Sequence, residues 1–315
     1  MRGKMIRRTE DLISEVKKSG KRHGIVVAAA NDEDAINTIA EAWRHGVVEP
    51  VLVGPKKEIE RIAKSIAVDI GKFPLVDAPD SAACVQESIR LVREGTCEII
   101  MKGNVRTADL MGEVLHRKNG LRTDRIVSHV GAFTSPDSQR IMIITDAGIN
   151  IAPDLMKKRD IILNAVDVMH ALGIECPKVA ALSFIEKIEN KDIHPGIKQS
   201  TEDAERLSEM NKVGKITGCV VEGPYALDNA ISKYAAEHKG IKGHVAGQAD
   251  VLLAHDINMG NAIYKSLQIW VKAVMAGVVV GSKTPVVVPS RVDSPESKLQ
   301  SIGLAILLMS REARA

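Results

Sequence analysis

Short apolar runs alternate with longer helical patterns along this chain, and that alternation limits the folds open to it more than any other feature. Gly24 to Ala29, Pro50 to Val53 and Cys97 to Met101 are short and rich in Val, Ile and Leu, as strands buried on both faces are. Between and after them, Asp32 to His45, Lys56 to Ser65, Asp80 to Glu94 and Thr107 to His116 carry apolar residues at helical spacing. Further strands are expected at Arg140 to Thr145, Val179 to Phe184, Ile216 to Val221, Asp250 to Ala254, Gly277 to Val280 and Pro285 to Val288. Helices are expected at Lys157 to Ala171, Glu202 to Lys212, Leu227 to His238 and Asn261 to Ala276, with Ser200 and Asp203 resembling a capping box. Repeated βα units predict an α/β chain with mainly parallel sheets flanked by helices.

The loops Val127 to Arg140, with Gly131, Ser135 and Pro136, and Gly281 to Thr284 are the best candidate boundaries. They divide the chain into a first α/β domain of 1–132 and 282–315 and a second of 133–281, so that the last strand and helix rejoin the first. A length of 315 residues accommodates two such domains. Aromatic residues make up only 3%, so aliphatic packing must form the core and stacking on nucleic-acid bases is not expected. With 43 basic against 40 acidic residues, a polyanion partner is not expected either. No apolar segment approaches membrane-spanning length, so no membrane partner is expected and a soluble, cytoplasmic protein is. Cys84, Cys97, Cys176 and Cys219 show no CxxC spacing and are expected to be reduced and buried. His238, His244 and His255 lack metal-ligand spacing, and no GxSxG, GxGxxG or GxxxxGK[ST] pattern occurs.

Thr284 to Ile302 holds the strongest chemical signal. An apolar strand stops on Ser290-Arg291, with Asp293 close behind; Ser294 then caps a helix whose first turn begins with Pro295. Strand ends of this kind in open α/β sheets bind ligands, and helix starts favour anions. Lys102-Gly103-Asn104, Asp146-Ala147-Gly148, Glu222-Gly223-Pro224 and His255-Asp256 are similar strand-end turns. They can converge at one sheet edge, although βα turns also use Gly, Asp and Ser for loop chemistry alone. In the helix opening at Gly260-Asn261, Ile263, Leu267, Trp270 and Val274 line one side, and Gly277 ends it. Asn261, Lys265 and Lys272 fall opposite; Lys272 reads as solvated, while Asn261 and Lys265 are equally a polar face or an anion ligand pair. Asp228 reads as a helix-start acid, a base, or an anchor for a positive neighbour.

Together MKGNVRTADLM, LRTDRIVSHV, ITDAGINIAP, PKVAALSFIE, VEGPYALDNAIS, GQADVLLAHDINMGNAIYKSL and PSRVDS resemble the phosphate acetyl/butyryltransferase family, and its butyryl branch most closely, over Met101 to Ile302. The resemblance implies an acyltransferase that interconverts acyl-CoA plus phosphate with acyl phosphate plus CoA, by direct attack of phosphate on the thioester. A short acyl chain, butyryl, is favoured, with acetyl as the alternative. The implied fold is two-domain α/β of the isocitrate/isopropylmalate dehydrogenase type, with the site in the cleft between the domains and a homodimer or higher homo-oligomer. CoA and phosphate enter as substrates, with no cofactor or metal. Ser290, Arg291, Asp293 and Asp228 become the catalytic candidates, and Lys102, Gly103, Thr107, Gly223, Asn261 and Lys265 the substrate-binding ones. The acetyl branch places an aspartate seven residues after the serine, where this chain has Ser297. Asp293 is then the first substitute base, with Glu296 and Asp228 behind it. A metal-dependent decarboxylating dehydrogenase of the same fold would need an aspartate cluster and a dinucleotide site, and neither pattern is present. A non-catalytic CoA- or phosphate-binding domain would be expected to lack Ser290 or Arg291.

Overall fold

The computed structural model describes residues 5–185 and 194–312; Glu186, the last residue of the PKVAALSFIE motif, lies outside them. After a 3-10 turn at Thr9–Asp11 come α1 (Leu12–Lys17), β1 (His23–Ala28), α2 (Glu33–Arg44), β2 (Val48–Gly54) and α3 (Lys56–Ser65). β3 (Leu75–Asp77), α4 (Ser81–Arg93), β4 (Ile99–Lys102) and α5 (Thr107–Val114) follow. The middle of the chain supplies β5 (Ser128–Thr134), β6 (Ile141–Thr145), α6 (Leu155–Ala171), β7 (Lys178–Leu182), α7 (Pro195–Lys212) and β8 (Val220–Tyr225). Then come α8 (Leu227–Ile231), α9 (Lys233–His238), β9 (Val251–Leu253), α10 (Ile257–Ile269), β10 (Ala276–Val280), β11 (Val286–Val287) and α11 (Pro295–Glu312). The chain forms two compact units, a first of Thr9–Arg125 with Val274–Ala315, and a second of Met1–Arg8 with Ile126–Ala273.

In the first unit the strand order is β3-β2-β1-β4-β11-β10. All pairs are parallel except β10 with β11. The chain lays down β1, β2 and β3 in one direction and then inserts β4 on the free side of β1, where Ala28 pairs with Lys102. That reversal opens a crevice beyond the carboxyl ends of β1 and β4, the usual ligand position in such sheets. Ile25, Val26, Val27, Ile99, Ile100, Met101, Val286 and Val287 are fully buried, so the centre of this sheet is aliphatic. Each such side chain contributes about 1.5–3 kcal/mol by leaving water. Asp32 and Asp80 cap α2 and α4 by accepting from the Ala35 and Ala83 amides at 2.8 and 2.9 Å. Ser294 caps α11 likewise, accepting from the Ser297 amide at 3.1 Å.

In the second unit the order is β5-β6-β9-β7-β8, parallel except for β5 with β6. Several expectations fail here for identifiable reasons. The loop expected at 127–140 contains β5, and Gly131 sits in mid-strand because a Cβ there would lie 2.6 Å from the Tyr264 ring. The capping box at Ser200 does not form. α7 begins at Pro195, and Ser200 and Asp203 lie inside it, where Asp203 accepts from the buried Lys158 ammonium at 2.8 Å. The helix expected from Leu227 to His238 is broken at Ser232, which ends α8 and caps α9. α10 starts earlier than expected, with Asp256 as its cap, and stops at Ile269; Trp270 is 82% exposed rather than lining the core, and Gly277 belongs to β10. Cys84, Cys97 and Cys219 are buried as expected, with burial pushing Cys97 up to about 11 and Cys219 up to about 12. Cys176, against expectation, is exposed, because it precedes β7 rather than lying within it. Among the described residues, no helix is long and apolar enough to cross a membrane.

Candidate functional site

The crevice of the first unit is a cavity of about 510 Å³, within the size range of small-molecule sites. Four chain segments line it. From the α2 cap and its first turn come Asp32, Asp34 and Ala35, and from the start of α4, Ser81. β4 and the start of α5 bring Met101 to Thr107 and Asp109, and the segment between β11 and α11 brings Pro289, Ser290 and Arg291, with Lys298 one turn into the helix. The starts of four helices therefore face one space, and each contributes the positive end of its dipole. Gly103 makes the wall possible. Its amide donates to the Ala28 carbonyl at 2.9 Å, and a Cβ there would collide with the Ala29 carbonyl oxygen. Beyond β11, the Ser290 amide donates to Asp293 Oδ2 at 2.7 Å, and the Asp293 amide returns a bond to the Ser290 carbonyl at 3.0 Å. This tight turn leaves Ser290 and Arg291 on the cavity wall.

Cations and carboxylates in the cavity are unevenly matched. Arg106 is held by both oxygens of Asp109, at 2.7 and 2.8 Å, and Lys298 by Asp34 at 2.8 Å. Arg291 makes no hydrogen bond or ion pair with any described residue. Lys102 donates only to the Gly103 and Val105 carbonyls, at 3.1 and 3.3 Å. Burial pulls the Lys102 ammonium below the ordinary lysine range; the Asp32 charge opposes this and the Arg291 charge adds to it. Two cations that form no ion pair with a carboxylate among the described residues, beside converging helix starts, are a site prepared for an anion.

The family model described as "Phosphate acetyl/butaryl transferase" matches residues 83–306. The chain is 40% identical to a phosphate butyryltransferase of Clostridium acetobutylicum over 304 residues, covering 96% of this chain and 99% of that protein. The chain belongs to this family. A phosphate acetyltransferase of Thermotoga maritima is also 40% identical, over 94% of this chain and 98% of its own length. A branched-chain phosphotransacylase from Enterococcus faecalis superposes with a TM-score of 0.79 at 29% identity, over 91% of this chain and 98% of that one.

Among the residues singled out from the sequence, Lys102, Gly103, Thr107, Ser290 and Arg291 line the cavity together. Asp293 stands behind them as the partner of the Ser290 amide, and Glu296 is exposed on α11. At the position where the family's acetyl branch carries its acid, Ser297 is buried, and its hydroxyl accepts from the Met275 amide at 3.0 Å. Ser301, one turn on, does the same for Gly277 at 2.9 Å, so the pair fastens β10 to α11. Gly223, Asp228, Asn261 and Lys265 belong to the second unit. Gly223 lies in β8, and Asp228 is paired with Lys239 at 2.9 Å, which holds its carboxyl below the usual range. Asn261 donates to the Ala147 carbonyl at 3.1 Å, and Lys265 to Gln268 at 2.8 Å. Because α10 starts at Ile257, Lys265 stands beyond the first turns where the dipole acts. Other strand-end groups serve their loops: Asp146 accepts from the Gly148, Ile149 and Asn150 amides, and Asp256 caps α10.

Sequence reading missed Asp34, Ser81, Arg106, Asp109 and Lys298 as cavity residues, and saw Asp32 only as a helix start. Their signal was present in Asp32, in the Arg106/Asp109 spacing and in a lysine at the start of the last helix. Pooling them required the strand order, which the sequence does not state.

Proposed function

We propose that this protein is a phosphate acyltransferase that interconverts a short-chain acyl-CoA, butyryl-CoA being favoured, and phosphate with the acyl phosphate and CoA. The observation that carries the reading is the pair of cations, Lys102 and Arg291, that form no ion pair with a carboxylate among the described residues, together with Ser290 in a cavity faced by four helix starts. In this reading Arg291 grips phosphate bidentately and Lys102 acts as a point charge. Phosphate attacks the thioester carbonyl carbon, and both cations stabilise the oxyanion that develops. Ser290 donates to the departing thiolate or to the carbonyl oxygen. Gly103 and Thr107 shape the anion ledge. Gly223, Asn261 and Lys265 are kept as substrate contacts on the family resemblance, which also implies the fold of the isocitrate/isopropylmalate dehydrogenase type, a homo-oligomer and a cytoplasmic location.

The test mixes purified protein with phosphate and a panel of acetyl-, butyryl- and branched-chain acyl-CoA, and follows free thiol with and without EDTA. Thiol release that requires phosphate, survives EDTA and is fastest with butyryl-CoA is the expected result. Silence with every acyl-CoA would sink the reading, and faster turnover of acetyl-CoA would move the acyl preference to the other branch.

A further inference from the structure

The acyltransferase reading leaves one role without an owner. When CoA attacks the acyl phosphate, a base has to take the thiol proton, and the same group has to return it in the opposite direction. The carboxylates expected to serve are committed elsewhere. Asp293 Oδ2 accepts from the Ser290 amide at 2.7 Å, and the residue does not line the cavity. Glu296 is exposed and also lies off the cavity wall, and Asp228 pairs with Lys239 in the second unit. At position 297 there is a buried serine that braces β10.

Three carboxylates do line the cavity: Asp32, Asp34 and Asp109. Both oxygens of Asp109 are bound to Arg106, and Asp34 is tied to Lys298. Asp32 is different. Its Oδ1 caps α2 by accepting from the Ala35 amide at 2.8 Å, and its Oδ2 accepts no hydrogen bond from any described residue. Asp32 also sits just past β1, whose last residue, Ala28, is the register partner of Lys102. It therefore stands beside Lys102, on the same wall as the Ser290-Arg291 ledge.

We infer that Asp32 is the catalytic carboxylate that moves the CoA thiol proton, with Oδ1 anchored in the helix cap and Oδ2 turned to the substrate. In the direction of acyl-CoA formation, the S–H proton passes to Oδ2 as the sulfur lone pair forms the bond to the acyl carbon. The bond between the acyl carbon and the bridging oxygen then breaks, phosphate leaves with that oxygen and the bonding pair, and the proton passes from Asp32 to that phosphate. Acyl phosphate and CoA thiol thus become acyl-CoA and hydrogen phosphate, and the carboxylate is regenerated. A free thiol near pKa 8.5 does not surrender its proton to a carboxylate near 3.9 unaided. The transfer is therefore coupled to S–C bond formation and takes place beside Lys102 and Arg291, which hold the developing negative charge. The electrostatic influence of Asp32 on Lys102 fits this proximity.

This rests on the acyltransferase reading, and the test keeps the two apart. Wild-type protein is first assayed for acyl-CoA formation from CoA with a panel of acyl phosphates; complete inactivity there overturns the acyltransferase reading and the inference with it. Asp32→Asn keeps a helix cap as good as aspartate and removes the base. Asp32→Ser, also a good cap, guards against a fold defect peculiar to one variant. For both, kcat is expected to fall about 10²–10⁴-fold at neutral pH, the range of general-base contributions. The deficit should shrink about tenfold per pH unit toward the thiol pKa of about 8.5, as solution thiolate makes the base unnecessary. Glu33→Gln, an exposed neighbour off the cavity wall, should match wild type. Near-wild-type kcat in both Asp32 variants would overturn the inference. So would a deficit that is constant or widens with pH, because that profile marks Asp32 as support for the Lys102 charge alone.

Discussion

Replacing Asp203 with asparagine should damage the second unit far more than a conservative change normally does. Lys158 and Asp203 are both buried, with side chains 2% and 8% exposed, and their ion pair spans α6 and α7 at 2.8 Å. The Lys158 ammonium also donates to His255 Nδ1 at 2.7 Å, so the imidazole is held with its proton on Nε2. Burial first, and the lysine charge second, keep the His255 pKa below the ordinary histidine value, so this neighbour does not neutralise the ammonium. Asp203→Asn therefore strands a buried cation, and breaking such a pair costs about 3–5 kcal/mol. At about 2–4 °C per kcal/mol for a unit of this size, the melting temperature should fall by roughly 6–20 °C. The sign with pH follows from linkage. An unpaired buried lysine has a folded pKa below its unfolded value near 10.4, so the folded variant binds fewer protons between those two values. The variant should therefore regain stability as pH rises through that window. Lys158→Met combined with Asp203→Leu should recover most of the loss, because apolar residues of similar volume often replace buried pairs without penalty. Urea and thermal unfolding of the three proteins measure all of this. A single-mutant cost below about 1 kcal/mol, the value of an exposed pair, would show that the pair is effectively solvated and refute the reasoning.

Arg291→Ala should lower kcat for phosphate-dependent thiol release about 10²–10³-fold, as loss of an oxyanion donor does, and near-normal turnover would remove Arg291 from the mechanism. Phosphate binding should raise the depressed Lys102 pKa and so take up protons. Calorimetry in buffers of differing ionisation enthalpy above pH 8, where phosphate is already a dianion, should show an uptake that grows toward the lowered Lys102 pKa and disappears in Lys102→Met. Gly103→Ala should cost about 1–3 kcal/mol in thermal unfolding, because its Cβ collides with the Ala29 carbonyl, and unchanged stability would show that the β4 end can shift freely.

Local periodicity carried much of the fold. α3 occupies Lys56–Ser65 as read from its spacing, and the Asp32, Asp80 and Ser294 caps sit where short polar side chains preceded helical patterns. Failures arose where a tertiary contact overrode a local signal. Gly131 looked like a loop residue but makes room for the Tyr264 ring. Ser200 and Asp203 looked like a cap, yet a buried lysine from another helix claims the carboxylate. Ser290, Arg291 and Lys102 were legible as site candidates because strand-end chemistry is local. The Lys298–Asp34 pair was not, because it joins opposite ends of the chain and exists only once β11 has been placed beside β4.

That placement also has a consequence for biosynthesis. β4 emerges from the ribosome early, but the strand that completes its outer side, β11, lies beyond the entire second unit in the chain. At about 5–20 residues per second, Ile99–Lys102 waits roughly 10–40 s with one row of amides and carbonyls unpaired. An apolar edge in that condition is a template for pairing with other nascent chains. Slowing translation between 126 and 273 should therefore increase co-translational aggregation of this protein more than slowing it anywhere after β11.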